Sequence, residues 1–271
     1  MFANLQSITS IYISNMIDIS GSNISYMFYN CKNLQEFTHN NTKNNILIKD
    51  ASKMFYNCAK LNNIFFSSEL IVNDMNSMFY NCNSLEIIDL SILNQNQNIN
   101  ISYLFYNCYN LTSFNLTNST LAINGMRYTF YNCTKLNAIN LNIFRMTNST
   151  NMSYLFYGCT NLREIILDSL VNDLNQPSDM RYMFYNCYNI NNITLTFSGK
   201  IYNINMARIF YNCYNLLSIQ LMQNSLYYPN DMKESFYNCS SLERLNLKDN
   251  IITDYTQEMS LLFYNCFSLD S

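Results

Sequence analysis

The 271-residue chain has no tryptophan, one histidine, two prolines and four glycines, and only 12% of its residues are charged. Each shortage excludes something. So little proline and glycine rules out collagen-like and proline-rich chains. The lone His39 has no Ser or Cys partner of special character, which leaves no nucleophile–base pair to build on. The charged share is about half that of an ordinary soluble domain. A net charge of −3 supplies neither a basic field for nucleic acid nor a polybasic membrane patch. No apolar run reaches the roughly 18–20 residues of a membrane span. The opening MFANLQSITSIYISN lacks the basic-then-apolar order of a secretory signal. Phosphate-binding patterns of the G-x-x-x-x-G-K-S/T and G-x-G-x-x-G kinds are missing as well.

What is present is a repeated phrase. Phe-Tyr-Asn-Cys, once Phe-Tyr-Gly-Cys, ends at Cys31, Cys58, Cys82, Cys108, Cys133, Cys159, Cys187, Cys213, Cys239 and Cys266, and these are all the cysteines of the chain. Intervals of 24 to 28 residues mark a stacked repeat array. Upstream of each cysteine, apolar residues fall at i, i+3, i+4 and i+7, as in Met152, Leu155, Phe156 and Cys159. That spacing predicts one face of a two-turn helix. Asn23, Asp50, Asp74, Asn100, Asn151, Asp179, Asn205 and Asp231 precede the pattern as N-caps. Thr129 and Ser235 replace the second apolar residue, which sets that position near the helix flank. Downstream, L-x-x-I-x-L (Leu85/Ile88/Leu90, Leu111/Phe114/Leu116, Leu162/Ile165/Leu167, Leu242/Leu245/Leu247) predicts a short strand with one face inward.

The expected fold is therefore an α/β solenoid, a right-handed superhelix of about ten turns, each a short helix plus a short parallel strand. Residues 1–271 form a single solenoid domain. Both ends fall within a repeat, so the expectation is a segment of a longer chain, with neighbouring domains or capping repeats to cover the exposed core.

Stretches such as NMSYLFYGCTNLREIIL (151–167) and DMNSMFYNCNSLEIIDL (74–90) resemble leucine-rich repeats, most closely the BspA-like repeats of about 26 residues in bacterial and protist surface proteins. The resemblance covers essentially the whole chain. It implies a non-enzymatic protein-interaction module, part of a surface adhesin or a host- or partner-binding protein, at the cell surface or secreted. The alternative is an intracellular scaffold or a component of a large assembly, in the cytoplasm.

Four readings concern individual positions. The invariant Phe is core. The cysteines are spaced too far apart for a C-x-x-C metal site and read as small buried apolar groups; disulfides between stacked neighbours are the open alternative. Tyr80, Tyr106, Tyr131, Tyr157, Tyr185, Tyr211 and Tyr237 form a file along the convex edge, either for packing or as a lateral contact stripe. The Asn before each cysteine, replaced once by Gly158, tolerates the left-handed conformation that ends a helix, with an asparagine ladder that skips one rung as the competing idea.

No catalytic, metal or cofactor residues are assigned, and no enzyme activity is expected. Asn-x-Ser/Thr matches such as Asn23, Asn118 and Asn148 are expected by chance in so Asn-rich a chain. The partner expected is a protein, not nucleic acid, and no part of the segment inserts in a membrane. Recognition is expected where the strand residues change from repeat to repeat: Glu86, Ile87 and Asp89; Thr112, Ser113 and Asn115; Arg163, Glu164 and Ile166; and Glu243 and Arg244.

Overall fold

A computed structural model describes residues 2–14, 21–40, 45–67, 69–91, 93, 98–115, 121–141, 144–146, 151–166, 179–195, 199–221, 225–245 and 256–270. Among them there is no α-helix; every named strand pairs in parallel, and the fold is a parallel β-solenoid. The expected helix is replaced by two consecutive four-residue turns. In the turn pair Met152–Cys159, Leu155 N–H donates to the Met152 carbonyl and Cys159 N–H to the Phe156 carbonyl, at 3.3 and 3.0 Å. The third residue of each turn, Tyr154 and Gly158, sits at positive φ (58° and 72°), as a type II turn requires.

This arrangement reproduces the spacing that mimics a helix. The first and last residues of two successive turns are i, i+3, i+4 and i+7, and they face inward together: Met152, Leu155, Phe156 and Cys159 are fully buried. A helix cannot form because its donors are committed elsewhere. The N–H groups of Met152, Tyr154, Phe156 and Gly158 donate to the carbonyls of Asp179, Arg181, Met183 and Tyr185 in the next repeat, at 2.8–3.0 Å. Ser153 N–H donates to Asn151 Oδ1 at 2.9 Å, so the predicted caps do accept backbone donors, but they start a turn and not a helix. Every N–H from Met152 to Cys159 thereby has a partner.

The strands form two rows. One row contains Ser10–Ile13, Glu36–His39 and Asn63–Phe66; Ile87–Asp89 with Ser113–Asn115; Ala138–Asn140 with Glu164–Ile166; and Asn192–Leu195, Ser218–Leu221 and Arg244–Leu245. The other contains Ser22–Asn23, Asn45–Asp50 and Glu69–Val72; Asn98–Asn100, Leu121–Gly125 and Phe144–Met146; and Gly199–Asn205 with Ser225–Asp231. Among the described residues these strands make seven short parallel sheets, and the expected α/β superhelix of ten helix-plus-strand turns gives way to a parallel β-solenoid in which turn pairs stand where the helices were placed. The strand phrase itself reads as predicted where it is described, with Leu85, Ile88 and Leu90 buried. Leu116, Leu167 and Leu247 lie outside the described residues, as do Asn118 and Asn148.

Between the rows runs a column of phenylalanines. From Phe28 to Phe236 the rings stack repeat on repeat, with centroids 5.4–5.7 Å apart. Full burial of one such ring stabilises the fold by roughly 2–3 kcal/mol. Beside them all ten cysteines are free thiols. Each donates to the carbonyl of the Phe one repeat earlier, as Cys58 does to Phe28 and Cys159 to Phe130, at 3.1 and 3.0 Å. Cysteine suits this place because it is small, apolar and carries one weak donor for a buried carbonyl. Thr129 and Ser235, expected at a flank, are fully buried. Their hydroxyls also serve backbone carbonyls: Thr129 Oγ1 reaches Met126 and Ile101, and Ser235 Oγ reaches Met232 and Met206, at 2.7–3.0 Å.

The asparagine before each cysteine does both things considered for it. It holds positive φ, 56–61° from Asn30 to Asn265, and it forms a ladder in which Nδ2 donates to Oδ1 of the previous repeat. Asn81, Asn107 and Asn132 make one run at 2.8–3.1 Å, and Asn212, Asn238 and Asn265 another. Gly158 lies between the runs. A Cβ added there would lie 2.2 Å from Asn132 Oδ1, the free end of a side chain that elsewhere turns to accept a rung. Two predictions follow from these ladders. Gly158→Ala is expected to lower stability by about 1 kcal/mol through its left-handed backbone, whereas Gly158→Asn, which tolerates that backbone and supplies the missing rung, should be clearly more stable than Gly158→Ala in urea unfolding. Burial pushes the Cys58 thiol up to about 12 and holds Cys82, Cys133, Cys187 and Cys213 well above the ordinary thiol range. An unfolded thiol ionises near 8.5. Below that pH the thiols are neutral in both states and their contribution is intact. Above it only the unfolded chain ionises, so melting temperature should fall steadily from about pH 8.5 toward 12, measured by circular dichroism.

Candidate functional site

Two surfaces are candidates. On the strand row, parallel register sets like positions side by side: Ile87 pairs with Ser113, Asp89 with Asn115, Ala138 with Glu164 and Ser218 with Arg244. Strand alternation turns the flanking core residues inward. Glu86, Ile87, Asp89, Thr112, Ser113, Arg163, Glu164, Glu243 and Arg244 are exposed, and Ile166 is half-buried. Asn115 takes its expected place in the strand. The Glu86 carbonyl accepts both the N–H and the hydroxyl of Thr112, at 2.9 and 3.0 Å, which fixes the backbone beneath them.

The same row carries apolar side chains that sequence reading passed over. Tyr12 and Phe65, at the outward register position of Thr38, are 64% and 53% exposed, comparable with Ile87 at 63%. Leu217, just before Ser218, is also exposed. The signal for them was available: each stands between or beside inward positions of the strand phrase, where a large apolar group has no core to enter.

The second surface lies along the turns. The seven predicted tyrosines, with Tyr29, Tyr56 and Tyr264, form one unbroken stack. Centroids from Tyr56 to Tyr264 are 4.4–4.7 Å apart; Tyr106 and Tyr131 lie parallel to within 0° at 4.4 Å. A second column runs beside it at the other positive-φ position, where Tyr103, Tyr128, Tyr154 and Tyr182 stack at 4.4–4.7 Å. Its signal in the sequence is a tyrosine three residues before the first, seen in YLFY, YTFY and YMFY.

Charged groups extend this second column where tyrosine stops. Arg208 lies over the Tyr182 ring at 5.4 Å and forms a two-bonded ion pair with Glu234 at 2.8 and 3.0 Å. It also donates to the Tyr182 hydroxyl. At the other end Lys53 Nζ lies 5.0 Å over Tyr26 and donates to its hydroxyl. Partial burial pushes the Tyr154 and Tyr185 hydroxyls up to about 12, with neighbouring phenols adding to the shift.

His39 is fully buried against Phe66 with neither ring nitrogen hydrogen-bonded, and burial pulls its pKa down. Among the described residues no three His, Cys, Asp or Glu side chains cluster as metal ligands would, and no helix is long and apolar enough to cross a membrane.

With this geometry the chain can be set beside known proteins. It matches the family model described as "BspA type Leucine rich repeat region" in six copies, over residues 1–137, 76–205 and 126–270. A comparison with curated proteins finds no match. Among crystal structures, a leucine rich cell surface protein from Faecalibacterium prausnitzii A2-165 is similar at 19% identity and TM-score 0.51, over 97% of this chain and 78% of that one. A leucine-rich repeat protein from Bacteroides ovatus ATCC 8483 is similar at 20% identity and TM-score 0.52, over 88% and 66%. At such identities the likeness is one of fold. The family match spans the whole chain, and with its Phe-Tyr-Asn-Cys turns stacked along a parallel solenoid the protein belongs to the BspA-type leucine-rich repeat family.

Proposed function

We propose that this chain is a non-enzymatic protein-binding module that presents its strand row to a protein partner, as part of a surface adhesin or host-contact protein. Leucine-rich repeats are a protein-interaction fold, and the relative from Faecalibacterium prausnitzii is a cell surface protein. The observation that carries the reading is the contrast between positions. Phe, Cys and Asn recur in the turns, while the varying strand positions read Glu86-Ile87-Asp89, Thr112-Ser113-Asn115 and Arg163-Glu164-Ile166. An invariant interior needs no variety outside it. A surface that changes at every step while its backbone stays fixed suits recognition of one extended partner. Ile87, Phe65, Tyr12 and Leu217 supply exposed apolar anchors, and the charged residues beside them give orientation. Ten free thiols favour a second reading, an intracellular scaffold using the same face.

Two measurements test this. Membrane-impermeant biotin applied to intact source cells should label the protein if it is on the surface; labelling only after lysis would select the scaffold. Beads coated with the protein should bind partner cells or extracts, and the combined variant Glu86→Lys, Ile87→Asp, Glu164→Lys, Arg244→Glu should lower that binding by about tenfold or more, a change of about 1.4 kcal/mol. Undiminished binding by a correctly folded variant would remove the strand row from consideration.

A further inference from the structure

Oxidation chemistry on this molecule has few places to go. There is no tryptophan. Nine thiols are buried and the tenth, Cys266, is half-buried, with burial holding them protonated and therefore unreactive. The methionines of the turns, from Met54 to Met232, are core residues. Met259 is exposed and Met27 half-buried; the other easily oxidised groups that reach solvent among the described residues are phenols, most of them in the two columns.

The columns hold these phenols in a reactive arrangement. In the pairs Tyr56–Tyr80, Tyr80–Tyr106 and Tyr106–Tyr131 the centroids are 4.4 Å apart and the planes within 9°. Tyr128–Tyr154 in the second column repeats this at 4.4 Å and 6°. Neighbouring rings belong to successive repeats, 24 to 28 residues apart in sequence. A bond between them joins one turn of the solenoid to the next.

We propose that the tyrosine columns are sites of oxidative cross-linking, in which stacked neighbours couple into intrachain dityrosine under a haem peroxidase and hydrogen peroxide. Each of two tyrosines gives up one electron and its phenolic proton. The two radicals join through ring carbons ortho to the hydroxyls, and the hydrogens on those carbons return to the oxygens as aromaticity is restored. The net loss is two electrons and two protons, which reduce one hydrogen peroxide to two waters. The solenoid provides the pre-arrangement: radicals on adjacent rings meet each other before they meet another chain. Repeated along the column, such links lock turn to turn and leave the strand row free.

The test uses the full chain, folded and dilute, with a haem peroxidase and hydrogen peroxide. The expected product shows blue dityrosine fluorescence, stays monomeric on a denaturing reducing gel, and gives linked peptides that pair column neighbours such as Tyr106 with Tyr131, each pair lighter by two hydrogens. Tyr131→Phe keeps a ring in the stack and should keep the melting temperature, yet lose both linked peptides that involve position 131 and retain the others. The same treatment in urea should scatter the links over non-neighbours. The proposal is overturned by linked dimers in place of intrachain links, by the same link pattern in folded and unfolded chains, or by oxidised methionine and cysteine without dityrosine.

Discussion

The hydrogen bond from one repeat to the next is the constraint on which the rest depends. In each turn pair, alternate N–H groups leave the repeat and land on the carbonyls of its neighbour, as Phe156 lands on Met183. Once the backbone is tied this way at four points, the same residue of every repeat must sit above its counterpart. Identical side chains then meet identical side chains: phenylalanine on phenylalanine, tyrosine on tyrosine, asparagine on asparagine. The columns are consequences of register, and each adds stacking or bonding that only exact register allows. A sequence with different residues at those points would gain nothing from the alignment.

That dependence also explains the backbone strain. Non-glycine residues at positive φ cost roughly 1–2 kcal/mol each, and the chain places them at two positions in nearly every turn pair, at Tyr103 and Asn107 and again at Tyr128 and Asn132. Such conformations persist only where surroundings over-determine them. Here the surroundings are the neighbouring turns, so no turn pair is stable alone and the chain gains its stability by stacking.

Much of this was legible in the letters. Repeat length, the inward Phe, the strand phrase and the outward Glu86, Ile87 and Asp89 all follow from period and polarity. The helix did not survive, for a definite reason. Two turns of four residues bury i, i+3, i+4 and i+7, and so does a helix of two turns; apolar spacing cannot separate them. The one discriminating signal was the Asn or Gly just before the cysteine, as at Asn107 and Gly158; Tyr103 or Arg208 four residues earlier shares that left-handed backbone, which a helix interior forbids, but its residue type gives no sign of it. Gly158 was read as a helix end when it marked the corner of a turn. Thr129 and Ser235 were misplaced because a hydroxyl was judged by its polarity alone, with no account of the backbone carbonyls waiting inside. The second tyrosine column was missed because only the position nearest the cysteine was followed.

Gly158 has a further meaning once the asparagines are seen as oriented dipoles. Every amide in a run points the same way, nitrogen toward the preceding repeat, so each bond polarises the next and the run strengthens as it lengthens. Asn132 closes one run with an acceptor that has no amide above it, and Asn186 opens the next with no amide oxygen below it, because glycine between them has none to offer. The backbone crosses this point without interruption, and the tyrosines stack across it at 4.6 and 4.7 Å. The solenoid is thus mechanically continuous but electrically segmented at Gly158, where one polarised run of amides ends and the next begins on a single structural thread.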